Sequence, residues 1–190
     1  MTYFPSRLPF LRRLRRFAGD TQGNIALETL IWMPFILFLL VATFSLHDAF
    51  RYKSMNVKAA YTISDALSRE TDPIDSAYLD GMVELLDFLT RPGGASSLRV
   101  TLVRYDASNG VYETEWSKTR GNLAALQTSQ LAEMKHQLPT MLHNERVIVV
   151  ETETYYNPPF TFPGLNDAGL FYNFGFTRPR FAPKIVWSDG

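Results

Sequence analysis

The sequence predicts an α+β protein: a long N-terminal helix, half membrane-grade and half amphipathic, packed on a small antiparallel sheet with additional helices. Three observations point there. Residues 29–46 form an 18-residue run without a charged side chain. The next stretch, His47 to Arg69, has no proline or glycine and keeps apolar residues at helical spacing. Beyond it, alternating and β-branched stretches are divided by turn signals, with helical stretches between them.

The apolar run comes first in the chain. At ~1.5 Å per residue, 18 residues rise ~27 Å, close to the ~30 Å hydrocarbon core of a bilayer. Two other readings compete with a membrane span. A buried helix of a soluble core is seldom apolar on every face at this length. A cleaved secretory signal has a shorter apolar region ending in a small-x-small site, and Phe44-Ser45-Leu46-His47 offers none. Arg7, Arg12, Arg13, Arg15 and Arg16 precede the run, with Asp20 the one acid among residues 1–23. Arg51, Lys53 and Lys58 follow it less densely. That bias predicts a cytoplasmic N-terminus and an external body. The predicted organisation is a basic cytoplasmic leader (1–23), a transmembrane helix (24–46), an external α+β head (47–156) and an aromatic, proline-rich C-terminal segment (157–190).

One helix is expected from about Gly23 to Glu70, ended by Thr71-Asp72-Pro73. The alternative is an anchor followed by a separate soluble helix. In the second half Phe50, Val57, Ala60, Ile63 and Leu67 mark the stripe expected to pack under the head. Arg51, Lys53, Lys58 and Ser64 lie on the other face. Asp75 to Leu89 reads as a second helix, with Leu79, Val83, Leu86 and Leu89 on one side, and "RPGGASS" breaks it. Leu98–Tyr105 and Val111–Ser117 read as a hairpin across Asn109-Gly110. Leu123–Leu142 reads as a helix broken at Pro139. Val147–Tyr156 is rich in β-branched residues and completes three strands, enough for a stable sheet packed on a helix. From Asn157 no helical or strand period is evident. Phe160, Phe162, Phe171, Tyr172, Phe174 and Phe176 either form an exposed interface patch, with Phe171, Tyr172, Phe174 and Phe176 its candidate centre, or fold over the head's own core.

Glu28 is the lone acid at the start of the apolar run. An unpaired acid in mid-membrane costs ~2.5–3.5 kcal/mol on insertion scales, so it calls for a partner or a place near the interface. Asn24 and Glu28 are helical i, i+4 neighbours, and the acid is expected in the first turn, where the helix dipole favours an anion. Snorkelling to the interface is the other way to satisfy it. Pro34 lacks an N–H and frees the carbonyl of Leu30, so a local kink is expected there.

A basic leader, Gly23, Glu28 at the fifth position after it, and an apolar helix together resemble the type IV pilin-like processing signal. "GNIALETLIWMP" is more narrowly similar to the TadE-like proteins of tight-adherence (Flp) pilus systems. Glu28 and Pro34 fall at that family's spacing, while Thr29 stands where the family often has an aromatic. The resemblance covers residues 18–46. It implies cleavage between Gly23 and Asn24 by a prepilin peptidase, leaving a free amino group on Asn24 beside Glu28. It implies a single-pass protein of the bacterial inner membrane with a periplasmic head. Its implied partners are other pilus subunits, inner-membrane assembly components and the lipid bilayer. The role would be that of a minor pilin, pseudopilin or assembly protein in adhesion or secretion.

Composition narrows the other function classes. Hydrophobic residues make up 46% and charged residues 20%, which excludes a disordered chain. Net charge is zero and no basic face with interleaved aromatics follows the leader, so no nucleic-acid partner is expected. There is no cysteine, which excludes disulfides, cysteine zinc sites and thiol catalysis. No G-x-S-x-G, glycine-rich phosphate loop or H-E-x-x-H occurs. His136 and His143 are separated by Pro139, Glu133 with His136 is a chance spacing, and Asp72, Asp75 and Asp80 lack the ladder of a calcium loop. No catalytic residue, metal ligand or cofactor is assigned, and an enzyme is not expected. A membrane-tethered periplasmic enzyme is one rival. An uncleaved single-pass envelope protein that binds another component of a secretion apparatus is the other.

Overall fold

The computed structural model describes residues 13, 16, 24–160 and 171–189. Gly23, most of the basic leader and Phe162 lie outside the described residues. The chain divides at Phe44/Ser45 into two compact units.

The described part of the first unit is helical. Helix α1, Asn24–Arg69, starts there and passes Pro34 without a break in its helical assignment. Every residue from Ile25 to Leu40 is exposed. Among the described residues α1 is the one helix long and apolar enough to cross a membrane, and none of its apolar window is buried. Two of its hydroxyls are satisfied within the helix. Thr29 Oγ1 donates to the carbonyl of Ile25 at 2.8 Å, and Thr43 Oγ1 to that of Leu39 at 2.8 Å. Neither brings an unpaired donor to apolar surroundings, where it would be costly.

The second unit, from Ser45, is an α+β head. After α1 come helix α2 (Ser76–Thr90), strands β1 (Ser97–Asp106) and β2 (Val111–Arg120), a one-turn helix α3 (Thr128–Leu131), and strands β3 (Arg146–Glu153) and β4 (Tyr172–Thr177). The sheet is antiparallel throughout, in the order β2-β1-β3-β4. Asp75 caps α2 by accepting the Tyr78 N–H at 2.8 Å, satisfying one of the orphan donors of the first turn. Asp106 accepts the Ser108 N–H at 2.9 Å, and Gly110 takes φ +67°, which closes the β1–β2 turn.

Two cores flank the sheet. On one face Val100, Leu102, Ile148 and Val150 pack with Ala59, Ile63 and Leu67 of α1 and with Leu79 and Leu86 of α2. On the other, Val103, Val147 and Val149 pack with Leu126, Leu131, Leu138 and Met141. Alternation along β1 and β3 divides their side chains between these cores, and β1 shifts register between Leu102 and Val103. The inner strands are buried on both sides, so their apolar character is nearly continuous.

Three expectations need correction. The 123–142 stretch is mostly turns, with α3 its one helical turn. Its apolar residues cap the second core without needing a continuous helix. The C-terminal segment carries a strand: β4 pairs with β3 from Glu153↔Tyr172 to Ile148↔Thr177. Ile74 and Trp187 then form a further bridge, so the described C-terminal residues belong to the head. Third, Phe50 is not on the packed stripe and Ser64 is not on the polar face. Phe50 is 71% exposed and Ser64 5%, and the buried line runs through Ala49, Tyr52, Asn56, Ala59, Ala60, Ile63, Ser64 and Leu67. Phe50 and Val57 are seven apart and point together, but on a face rotated away from Ile63.

This placement separates two substitutions. Leu67→Ala should cost about 2–5 kcal/mol of head stability by leaving a cavity. Phe50→Ala should stay within about 0.5 kcal/mol. Denaturant unfolding of the full chain in detergent compares them, and equal losses would mean that Phe50 is packed after all.

Candidate functional site

Glu28 is the fifth residue of α1, and no acid lies in the first turn. It is exposed, one position beyond where the helix dipole acts most strongly. Asn24 opens the helix, four residues before it. Pro34 sits among exposed apolar side chains.

The four aromatic residues proposed as an interface divide. Phe171 is buried at 4% exposure. Its ring packs edge-on against Tyr52 and also against Tyr156, each at 5.0 Å between centroids. Tyr172 is half-buried and its hydroxyl donates to Glu151. Phe174 packs against the second core. Phe176, 45% exposed, is the one of the four that faces outward. Three of the four therefore fold over the head.

Glu151 is fully buried and stands opposite Arg99 in the β1–β3 register. Arg99 reaches it with both Nε and Nη2, a bidentate pair, and gives Nη1 to the carbonyl of Ala124 at 2.7 Å. Burial pushes the Tyr172 phenol well above its ordinary range, and its bond to Glu151 adds to that. Nearby, Lys53 Nζ donates to the carbonyl of Tyr172 at 2.8 Å, and burial holds its ammonium below the usual range.

A second constellation lies where α1, the end of α2 and the strand exit after β3 meet. α2 ends in Arg91, which adopts the left-handed conformation (φ 49°) and donates its N–H to the carbonyl of Asp87 at 2.8 Å. Gly93 N–H then bonds the carbonyl of Tyr155 at 2.9 Å. A Cβ on Gly93 would come within 2.7 Å of the Cβ of Asn157, so the close approach needs glycine. From α1, the Tyr52 hydroxyl donates to the same Tyr155 carbonyl at 2.8 Å. Asp48 accepts from the Tyr156 hydroxyl at 2.8 Å and from Arg51 at 3.1 Å. Together they frame an open cavity of about 670 Å³ whose lining includes Asp48, Arg51, Tyr52, Phe88, Arg91 and Tyr156. Phe88 on its rim is 74% exposed. The cavity lining holds two guanidiniums and one carboxylate that is already bonded twice.

Sequence reasoning singled out neither constellation. Their residues come from stretches up to 119 positions apart. The only local signal was "RPGG" after a helical pattern.

No protein-family model, curated protein or solved structure matches this chain.

Burial, and then the bond to Asp48, push the Tyr156 phenol up to about 12. The folded form holds the proton more tightly than the unfolded one, whose phenol titrates near ~10. This contribution to stability is therefore complete below about pH 10 and is lost as pH rises through about 12. Ultraviolet titration of phenolate in the full chain and in Tyr156→Phe should differ by one group with that late midpoint. Asp48→Asn should move the midpoint down. A difference centred on the ordinary tyrosine range would show that the phenol is neither buried nor bonded to Asp48 in this way.

Proposed function

We propose that this protein is a membrane-anchored, pilin-like minor subunit or assembly protein of a Flp-type pilus. It acts through helix–helix and head-domain contacts, not as an enzyme. The leader lies in the cytoplasm, α1 spans the inner membrane in its first half, and the head is periplasmic. The observation that carries this reading is the division of labour along α1. Its N-terminal half, entered through the Gly23–Glu28 spacing, keeps its apolar window unburied. Its C-terminal half supplies Ala59, Ile63 and Leu67 to the head's core. A plain membrane tether would not need the anchoring helix to be the core helix as well. The basic leader adds the orientation.

Two measurements test it. N-terminal mass spectrometry of membrane-extracted protein, from cells with an active prepilin peptidase, should find Asn24 leading. An intact N-terminus would favour the uncleaved envelope protein that binds a secretion component.

Glu28→Gln should leave insertion intact or ease it, because it removes a charge costing up to ~2.5–3.5 kcal/mol at mid-bilayer. If Glu28 pairs with the amino group of a neighbouring subunit, the same change should reduce cross-linking between tagged copies or to other pilus subunits. Glu28→Asp, one methylene shorter, should be intermediate. Equal cross-linking at equal protein levels would leave the acid no role in assembly.

A further inference from the structure

We propose that the Arg51–Phe88–Arg91 cavity docks a phospholipid headgroup of the bilayer that α1 enters. The lipid phosphate would sit on the two guanidiniums, with Phe88 at the level of the headgroup–acyl boundary. The inference rests on the reading that the apolar run spans a bilayer; it does not depend on the pilus assignment.

Three observations carry it. The first is chain reach. Asp48 and Arg51 line the cavity, and Asp48 follows Leu46, the last residue of the uncharged run, by two positions. Two residues reach at most ~7 Å, so whatever the tilt of the head, one wall of this cavity stays at the membrane surface.

The second is charge. The lining holds two arginines and one acid, and that acid is already engaged by Arg51 and the Tyr156 hydroxyl. Arg51 keeps 62% of its side chain exposed while it touches Asp48. Arg91 is exposed, and its side chain has no hydrogen-bond or ion-pair partner among the described residues. A forked cation left open beside a second one suits a phosphate, which a guanidinium can meet with two parallel bonds.

The third is the aromatic rim. Phe88 is 74% exposed on the same cavity. Water gives this ring no reason to be there. An interface that is apolar on one side and charged on the other accommodates ring and arginine together. The left-handed cap at Arg91 and the glycine that follows fix the turn that presents its guanidinium.

The absence of cysteine makes single-site labelling clean. The full chain would be placed at one copy per disc in lipid nanodiscs, with a fluorophore on Asn157→Cys at the cavity wall. Controls would be Asn109→Cys at the β1–β2 turn and Leu37→Cys in the apolar run. Ten residues of β1, or ~33 Å of strand, separate the turn from the cavity end of the sheet. In discs of phosphatidylglycerol and phosphatidylethanolamine, lipids carrying a headgroup-linked nitroxide should quench the probe at 157 several-fold more than the probe at 109. Arg51→Glu combined with Arg91→Glu should lower that quenching toward, but not below, the level at 109, because two surface arginines are lost while chain reach still holds the cavity wall near the bilayer. Phosphatidylcholine discs should show a smaller effect of the pair.

Quenching at 157 no greater than at 109, with the probe at 37 shielded from water, would overturn the headgroup site and leave the span standing. A water-accessible probe at 37 would overturn both. Quenching that is indifferent to the two arginines, or that appears only when two copies share a disc, would also overturn it; the second result would assign the cavity to another copy of the chain.

Discussion

The second half of α1 buries one stripe of small and branched residues against a face of the sheet, and the head is arranged round that contact. Ala59, Ile63 and Leu67 meet Val100, Leu102, Ile148 and Val150. Small residues bring the helix close: the Ser64 hydroxyl would lie 3.8 Å from a Cβ on Gly175 of β4. Polar groups on the buried line are satisfied without leaving it. Asn56 donates to the carbonyl of Tyr52 at 2.9 Å and accepts from Thr154, and Ser64 donates to the carbonyl of Ala60 at 2.8 Å. Every other element closes over this pair of layers. α2 adds Leu79 and Leu86 to the same core, and the C-terminal chain ties back through Arg180 N–H to the carbonyl of Ser68 at 2.8 Å.

The opposite face poses a different problem, because a carboxylate is fully buried there. Removing such a charge from water is costly, and its attraction to Arg99 offsets that only when the geometry is good and the remaining lone pairs are used. Here both conditions hold: two bonds come from Arg99 and a third from Tyr172. The consequence is registry more than net stability. Arg99 on β1, Glu151 on β3 and Tyr172 on β4 can meet only in one alignment of three strands. A slip by one residue would turn Glu151 into the aliphatic core beneath. The edge strand most distant in sequence is thereby tied to the centre of the sheet.

Much of this was legible from local pattern. The extent of α1, the position of α2, the hairpin over Asn109-Gly110 and the strand from Val147 follow from period and turn chemistry, and their observed limits differ by a few residues. What was illegible depended on tertiary context. Leu126, Leu131, Leu138 and Met141 have helix-compatible spacing, yet they fill the second core from a chain that turns repeatedly. β4 is short and lies in a segment of prolines and aromatics, so alternation had too few residues to show; pairing with β3 makes it a strand. The cavity at Arg51 and Arg91 needed three separate stretches to converge. Phe50 was misplaced because spacings of three, four and seven admit two neighbouring stripes, and only the sheet selects between them.

The partners available to the polar groups of α1 differ between its two halves. In the first unit Thr29 and Thr43 turn their hydroxyls back onto the helix's own carbonyls. From Asp48 onward, side chains that bond within α1, such as Asn56, Thr62 and Ser64, are joined by others that reach other elements. Asp48 takes the Tyr156 hydroxyl, Tyr52 reaches the carbonyl of Tyr155, and Lys53 reaches that of Tyr172. In hydrocarbon a side chain must find its partner within its own helix or in another protein segment. In water the head can supply partners from a hundred residues away. The first such outward bond is made by Asp48, two positions past the end of the uncharged run.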